Sequence, residues 1–283
     1  MPRLVPAERV AAAAPSSLAL RILSSLVLAP IAVAAAWFGW PWLPIVVAVG
    51  GAVMAWEWAK LCSGGKLGES GHTVIGFVLF AIVVAAFFSV HAGIPLVAVG
   101  AAVIWAFGRW GTRSERMREP GWLAAGVLWI GLPCVLLLWL ARPEGSGRAT
   151  LLWVFAIVWA TDIGAYAFGR LIGGRRLAPR WSPGKTWAGL VGGVVCAGLA
   201  GWAAAGLLGV PALPLVLPSA GLAIIGQFGD LAESVAKRRF GVKDSSGLIP
   251  GHGGLLDRLD GLLAVIPAVA LLTLIGGNVL TWR

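Results

Sequence analysis

Charge is what this sequence has least of. Only 12% of its 283 residues are Asp, Glu, Lys or Arg, where a soluble domain carries about 25%. Too few polar side chains are present to cover a soluble fold of this length. The 59% of hydrophobic residues excludes a disordered chain as well, since disorder requires low hydrophobicity and abundant charge. Cysteine is scarce too: Cys62, Cys134 and Cys196 are far apart and no CxxC pair occurs, which excludes a disulfide framework and a thiolate zinc site. They read as small buried side chains. Tyrosine occurs once, at Tyr166, and no Asp precedes position 160. Internal repeats and a soluble domain are also missing. What is present in quantity, 40 Gly and 16 Trp, suits helices packed in a bilayer with Trp at its interfaces. The chain reads as an all-α polytopic membrane protein.

A helix needs about 20 mostly apolar residues to cross the hydrocarbon core. Nine such stretches occur, near 22–40, 43–59, 73–90, 92–108, 121–141, 149–169, 187–209, 211–229 and 261–280. The second contains Glu57, and the eighth is interrupted by Pro214 and Pro218. The first run is longer than a signal-peptide core, so it is expected to be retained. With nine spans, 19 of the 22 Lys and Arg fall on one side, leaving Arg142, Arg148 and Arg283 on the other. That asymmetry predicts a cytoplasmic amino terminus and a periplasmic or extracellular carboxyl terminus. The net charge of +10 is therefore a matter of membrane orientation, and no nucleic-acid partner is expected.

Carboxylates in or beside a bilayer are costly and tend to be functional. Glu8, Glu69, Glu115, Glu119 and Glu144 lie in loops and termini and read as solvated charges, while Glu57, three residues before Lys60, reads as one half of an interfacial ion pair. Asp162 lies inside the sixth span with Tyr166 one turn further on the same face. It serves either a structural hydrogen bond or a polar cavity open to the cytoplasm. Asp230, Glu233, Ser234 and Lys237 form one polar stripe at helical spacing. Downstream come Lys243-Asp244, then His252-Gly253-Gly254, then Asp257 and Asp260 at i, i+3. Two carboxylates on one helical face suit a divalent cation. The glycines before them could open a phosphate cradle at a helix start. Carboxylates, a Gly-rich turn and several cations together suit nucleotide phosphoryl chemistry. His252 is open to two roles, acid or base, or a group that binds phosphate or orders the turn. Ser182-Pro-Gly-Lys185-Thr186 is not a P-loop, because Pro179 stands where that motif requires Gly. A turn there opening a helix at 185–187 could still place Lys185 and Thr186 on a phosphate. Gly189 and Gly193 have the small-xxx-small spacing of helix packing.

Over 234–260 the chain closely resembles the signature of the phosphatidate cytidylyltransferase (CDP-diacylglycerol synthase) family. Ser234, Lys237-Arg238, Lys243-Asp244, Ser246, Ile249-Pro250, His252-Gly253-Gly254, Asp257-Arg258 and Asp260 stand in its register, with Ala236 smaller than the usual residue. Asp162-Ile-Gly-Ala-Tyr166 with Gly169-Arg170 is similar to an upstream motif with one residue inserted. The stretch 182–189 is similar to a third, except that Gly184 replaces Lys and Ala188 replaces Glu. The resemblance covers about 160–261; the first 150 residues match only as hydrophobic spans.

The resemblance implies transfer of the cytidylyl group of CTP to phosphatidic acid, giving CDP-diacylglycerol and pyrophosphate for phospholipid biosynthesis. It further implies a Mg²⁺ requirement, with a second ion left open, and a homodimer in the cell inner membrane with its active site facing the cytoplasm. On that reading Asp230, Asp257 and Asp260 hold the metal. Lys185, Lys237, Arg238, Lys243 and Arg258 grip the phosphates, with His252 beside the reaction. Asp162, Tyr166, Ser182, Thr186, Ser234, Asp244, Gly253 and Gly254 line the substrate site. Residues 1–150 would form an amino-terminal scaffold of about five helices with dimer or lipid contacts, and 151–283 the catalytic region with cytoplasmic loops 170–186 and 230–260. Two other readings fit the sequence less well. Asp257-Arg-Leu-Asp260-Gly261 begins like the motif of CDP-alcohol phosphotransferases, but Val265 stands where that motif needs Arg. A transporter would show paired broken helices in two related halves, whereas the polar groups here gather in one third of the chain.

Overall fold

The computed structural model describes residues 17–65, 67–110, 119–142, 146–251, 253–277 and 280. Among the described residues, nine helical rods account for the nine apolar runs: α1 (Ser17–Phe38), α2 (Trp42–Cys62), α3 (Glu69–Phe87), α4 (Val90–Trp110), α5 (Pro120–Leu140), α6 (Gly147–Leu171), α7 (Trp187–Leu208), α8 (Leu213–Arg239) and α9 (Leu256–Gly276). All but α1 are long and apolar enough over the described residues to cross a membrane, and the corresponding part of α1 is Ser24–Phe38. Within α5, residues Val127–Gly131 form a π turn. There Gly126 leaves room for the Trp58 ring of α2, whose indole N–H donates to Trp122 O at 2.7 Å.

The two prolines of the eighth run do not break it. Pro214 lies in the first turn of α8, where its missing N–H has no helical acceptor to lose, and Pro218, four residues later and inside the helix, forgoes a single backbone bond near its start. The larger departure is at the other end. The segment 230–260 is not one loop, because α8 runs on to Arg239 and α9 begins at Leu256, which leaves 240–255 as the connection. Lys237, Arg238 and Arg239 occupy the last turn of α8, where cations oppose the negative end of the helix dipole.

Loop 170–186 holds a small element that the sequence reading lacks. Strands β1 (Arg176–Ala178) and β2 (Ser182–Thr186) form an antiparallel hairpin, with Arg176 opposite Thr186 and Ala178 opposite Ser182. Helix α7 therefore starts at Trp187, after a strand and not a Ser-Pro turn. Thr186 caps it, its hydroxyl oxygen accepting from Gly189 N at 3.0 Å.

Two glycine-lined crossings decide where the polar residues meet. Between α6 and α7, a Cβ at Gly189 would lie 2.8 Å from Ala165 O and one at Gly193 would lie 3.0 Å from Thr161 O. The small-xxx-small pair thus serves close helix packing. Between α8 and α9, a Cβ at Gly229 would lie 2.8 Å from Asp260 O and one at Gly261 would lie 3.0 Å from Asp230 Oδ1. Core side chains such as Val78, Ile82, Ile104, Ile130 and Val135 knit α3, α4 and α5 together, while Leu222, Val265 and Ile266 do so for α8 and α9.

Candidate active site

The basic last turn of α8, the hairpin, the end of α2 and the starts of α5 and α9 all meet at one end of the bundle. Arg239 pairs with Glu119 at 2.7 Å, Arg238 donates to Trp181 O at 3.3 Å, and Phe240 packs edge-on against Trp122 with centroids 5.9 Å apart. Lys185, projecting from β2, donates to Asp230 Oδ2 at 2.8 Å and to Gln227 O at 3.3 Å. The hairpin therefore delivers a cation to the α8–α9 crossing.

Two turns further along α8 from Asp230, Lys237 bridges two carboxylates. Its ammonium lies 3.0 Å from Glu233 Oε1 and 2.5 Å from Asp257 Oδ1. The side chains are 11% (Lys237), 0% (Glu233) and 4% (Asp257) exposed. Glu233 was visible in the sequence only as part of a stripe. In the folded chain it is fully enclosed, and the Lys237 ammonium 3.0 Å from its Oε1 compensates its charge.

Asp257 is surrounded by donors. Its Oδ2 accepts from Ser245 N, Ser245 Oγ and Gly254 N, each at 2.8 Å, and its Oδ1 accepts from Lys237. A carboxylate offers about four lone-pair directions, so little of Asp257 is left for a cation. The set Asp230, Asp257 and Asp260 does not converge. Among the described residues no three His, Cys, Asp or Glu side chains come together as a metal-holding group. Asp257 faces the 240–255 connection, whereas Asp230 and Asp260 meet at the α8–α9 crossing, close enough for the charge of one to act on the other.

The glycine turn also differs from the phosphate cradle expected of it. Gly253 N donates to Ile249 O at 3.1 Å and Gly254 N to Asp257, while Leu255 N and Leu256 N donate to Glu57 Oε1 and Oε2 at 2.9 and 2.7 Å. The anion at this helix start belongs to the protein itself. Glu57, on α2, is fully buried and accepts also from Ser246 Oγ at 2.6 Å. It is not paired with Lys60, whose ammonium sits 4.8 Å over the Trp56 ring. The signal for Glu57 was a carboxylate inside an apolar run, but the neighbouring lysine offered a simpler partner than a loop some 190 residues away.

A cleft beside this cluster is lined by Thr161, Asp162, Asp230, Gly226, Gly261 and Val265, among others. Asp162 thus faces Asp230, with Lys185 and Arg258 within electrostatic reach. Tyr166 is not among the residues lining this cleft. It is 67% exposed, and its hydroxyl accepts from Arg170 at 3.0 Å. Ser182 and Thr186 sit in β2, Ser234 is half-buried on α8, and Arg238 donates to Val242 O at 2.9 Å. Lys243, Asp244 and Arg258 are exposed. A Cβ at Gly253 would lie 2.9 Å from Asp257 Oδ2 and 3.3 Å from Asp244 Cβ, so Gly253 is wedged between those two side chains. His252 lies outside the described residues.

The charges suit a cation-dependent anion site. Asp162, Asp230, Glu233, Asp257 and Asp260 share their surroundings with Lys185, Lys237 and Arg258. Asp230 and Asp260 stand together at the α8–α9 crossing, and two neighbouring carboxylates suit a divalent ion. Mg²⁺ commonly takes one or two carboxylates and completes its shell with water and phosphate oxygens, so Asp230 and Asp260 fit it without a third ligand.

Comparison with known proteins covers nearly the whole chain. A phosphatidate cytidylyltransferase of Brucella suis biovar 1 (strain 1330) is 38% identical over 277 residues, 92% of this chain and 94% of its own length. One from Pseudomonas aeruginosa is 37% identical over 275 residues, 89% and 95% of the two chains. A phosphatidate cytidylyltransferase of Haemophilus influenzae is 46% identical over 127 residues. Residues 19–275 match the Cytidylyltransferase family. The likeness therefore extends through the amino-terminal helices, beyond the 160–261 region in which motifs were recognisable, and the chain belongs to the Cytidylyltransferase family.

Proposed function

We propose that the protein transfers the cytidylyl group of CTP to phosphatidic acid, forming CDP-diacylglycerol and pyrophosphate. The observation that carries this reading is the end-to-end similarity to proteins named phosphatidate cytidylyltransferase, at 37–38% identity. In the reaction an oxygen of the lipid phosphate attacks the α-phosphorus of CTP. A new P–O–P bond forms as the bond to the β-phosphate breaks, and pyrophosphate leaves. The attacking phosphate is already anionic, so placement and charge stabilisation supply most of what is needed.

Lys185 and Arg258 lie within electrostatic reach of Asp162 in the cleft and would draw phosphate oxygens toward it. Binding of phosphate would compete with Asp230 for the Lys185 ammonium, which lies 2.8 Å from that carboxylate. Lys237, held between Glu233 and Asp257, keeps the ends of α8 and α9 together beside the site. Ser234, Arg238, Lys243 and Asp244 lie on the adjoining turn and loop, where they would contact the nucleotide. Asp230 and Asp260 would hold Mg²⁺, while Asp257 could join them only by releasing donors. The ion would supply neutralisation of phosphate charge. The excess of Lys and Arg at this end supports a cytoplasmic site in the inner membrane, with the amino terminus on the same side. A homodimer completes the reading.

The test is pyrophosphate release by purified protein in mixed micelles with CTP, phosphatidic acid and Mg²⁺, each omitted in turn. Release is expected only with all three. Turnover without phosphatidic acid, or none with the full mixture, would refute the assignment.

A further inference from the structure

We infer that Glu57, on the second helix of the amino-terminal half, is a positioning residue for the reaction: it holds the turn before α9 so that Asp257 keeps its place in the site. The inference rests on the cytidylyl-transfer reading and deepens it.

A fully buried carboxylate is expensive unless donors or a cation meet its charge. Glu57 is 0% exposed, and none of the ion pairs among the described residues involves it. Among the described residues its hydrogen-bond partners come from one distant segment, the loop before α9 and its first residue: the amides of Leu255 and Leu256, the hydroxyl of Ser246 at 2.6 Å and, more weakly, that of Ser245 at 3.4 Å. An apolar side chain would fill the same space without that cost. The carboxylate therefore serves to fix the loop.

The donors alternate. Asp257 takes Ser245 and the amide of Gly254, while Glu57 takes Ser246 and the next two amides. Two carboxylates from opposite halves of the chain thus clasp the same two strands of loop. The Ser245 hydroxyl has one proton and lies 2.8 Å from Asp257 Oδ2 but 3.4 Å from Glu57 Oε2, so its proton goes to Asp257. Gly254 is shaped to this arrangement, since a Cβ there would lie 2.5 Å from Glu57 Oε1 and would collide with Ser245 Oγ. Releasing Glu57 frees the immediate neighbours of the groups that orient Asp257, and Lys237 is held by Asp257 in turn.

Glu57→Gln keeps the side chain's shape but turns one acceptor into a donor. Hydrogen exchange read residue by residue is expected to rise at least tenfold at Leu255 and Leu256, and also at Ser245 and Gly254, whose amides donate to Asp257 and not to Glu57. With saturating CTP and phosphatidic acid, kcat per folded molecule is expected to fall at least tenfold. A capping role confined to stability would expose only Leu255 and Leu256 and leave kcat per folded molecule unchanged. If Ser245 and Gly254 stay protected, or if kcat stays within twofold of wild type, the inference is overturned. Should Glu57→Gln not fold, Ser246→Ala removes one donor to Glu57 without touching Asp257. It is then judged by the same two readouts, with a threefold change expected in each and no change refuting the inference. Wild-type protein that releases no pyrophosphate would refute the cytidylyl-transfer reading instead, and the exchange pattern would still decide whether Glu57 orders the residues around Asp257.

Discussion

Lys237→Met would remove the charge that joins α8 to α9 while nearly preserving volume. The ammonium lies 3.0 Å from Glu233 and 2.5 Å from Asp257, in surroundings where none of the three side chains is more than 11% exposed. At an effective dielectric of about 20, a unit pair at these separations attracts by roughly 5–7 kcal/mol, most of which desolvation offsets. Removing one member of such a buried group leaves uncompensated charge and costs about 3–5 kcal/mol. Here Glu233 loses the cation beside it, while Asp257 keeps its bonds from Ser245 and Gly254. The expected loss is a large part of the ~5–15 kcal/mol that holds a typical domain folded. Denaturant titration in mild micelles, followed by Trp fluorescence, measures it. Adding Glu233→Gln to Lys237→Met neutralises the stranded carboxylate and is expected to restore at least about 1 kcal/mol, within the range of coupling between contacting residues. If Lys237→Met lies within about 1 kcal/mol of wild type, or the double variant is no more stable than the single, the pair is not the compensated buried unit described.

Gly254→Ala is expected to destabilise by about 1–3 kcal/mol through overpacking and to reduce turnover, since its Cβ would press on Glu57 and Ser245. Gly247→Ala, in the same loop but with nothing within 4 Å of its Cβ, is expected to stay near wild type in both thermal and activity assays. Lys185→Ala should lower kcat/KM for CTP about 10- to 100-fold, in line with loss of a hydrogen-bonded charge, as read by pyrophosphate release. Arg239→Ala breaks a pair with Glu119 that is 56% and 31% exposed, so a stability change of no more than about 1 kcal/mol is expected in the same titration. Reporter fusions at Arg283 should be active outside the cytoplasm, and cytoplasmic activity there would contradict nine spans.

The number and placement of the helices were legible in the sequence because bilayer thickness imposes a local requirement. Each span must supply its own run of apolar residues, and α2 to α9 coincide with runs that can be read directly. The polar stripe from Asp230 to Lys237 was legible for a similar reason, since helical periodicity is a property of one contiguous segment. Only the tertiary structure decided which groups satisfy one another. Glu57 looked like the partner of Lys60, and the amides of 253–256 like a cradle for phosphate. Each reading counted near neighbours in sequence. In the folded chain the glycine crossings of α6 with α7 and α8 with α9 bring remote segments into contact, and a buried donor or charge takes whatever complement then lies within about 3 Å. Glu57 therefore holds the start of α9, Lys237 holds Asp257, and Lys185 holds Asp230. The sequence determined what must be inside the membrane and which charges gather at one end. The packing determined how those charges are divided, because buried polar groups must be satisfied by spatial neighbours wherever these lie along the chain.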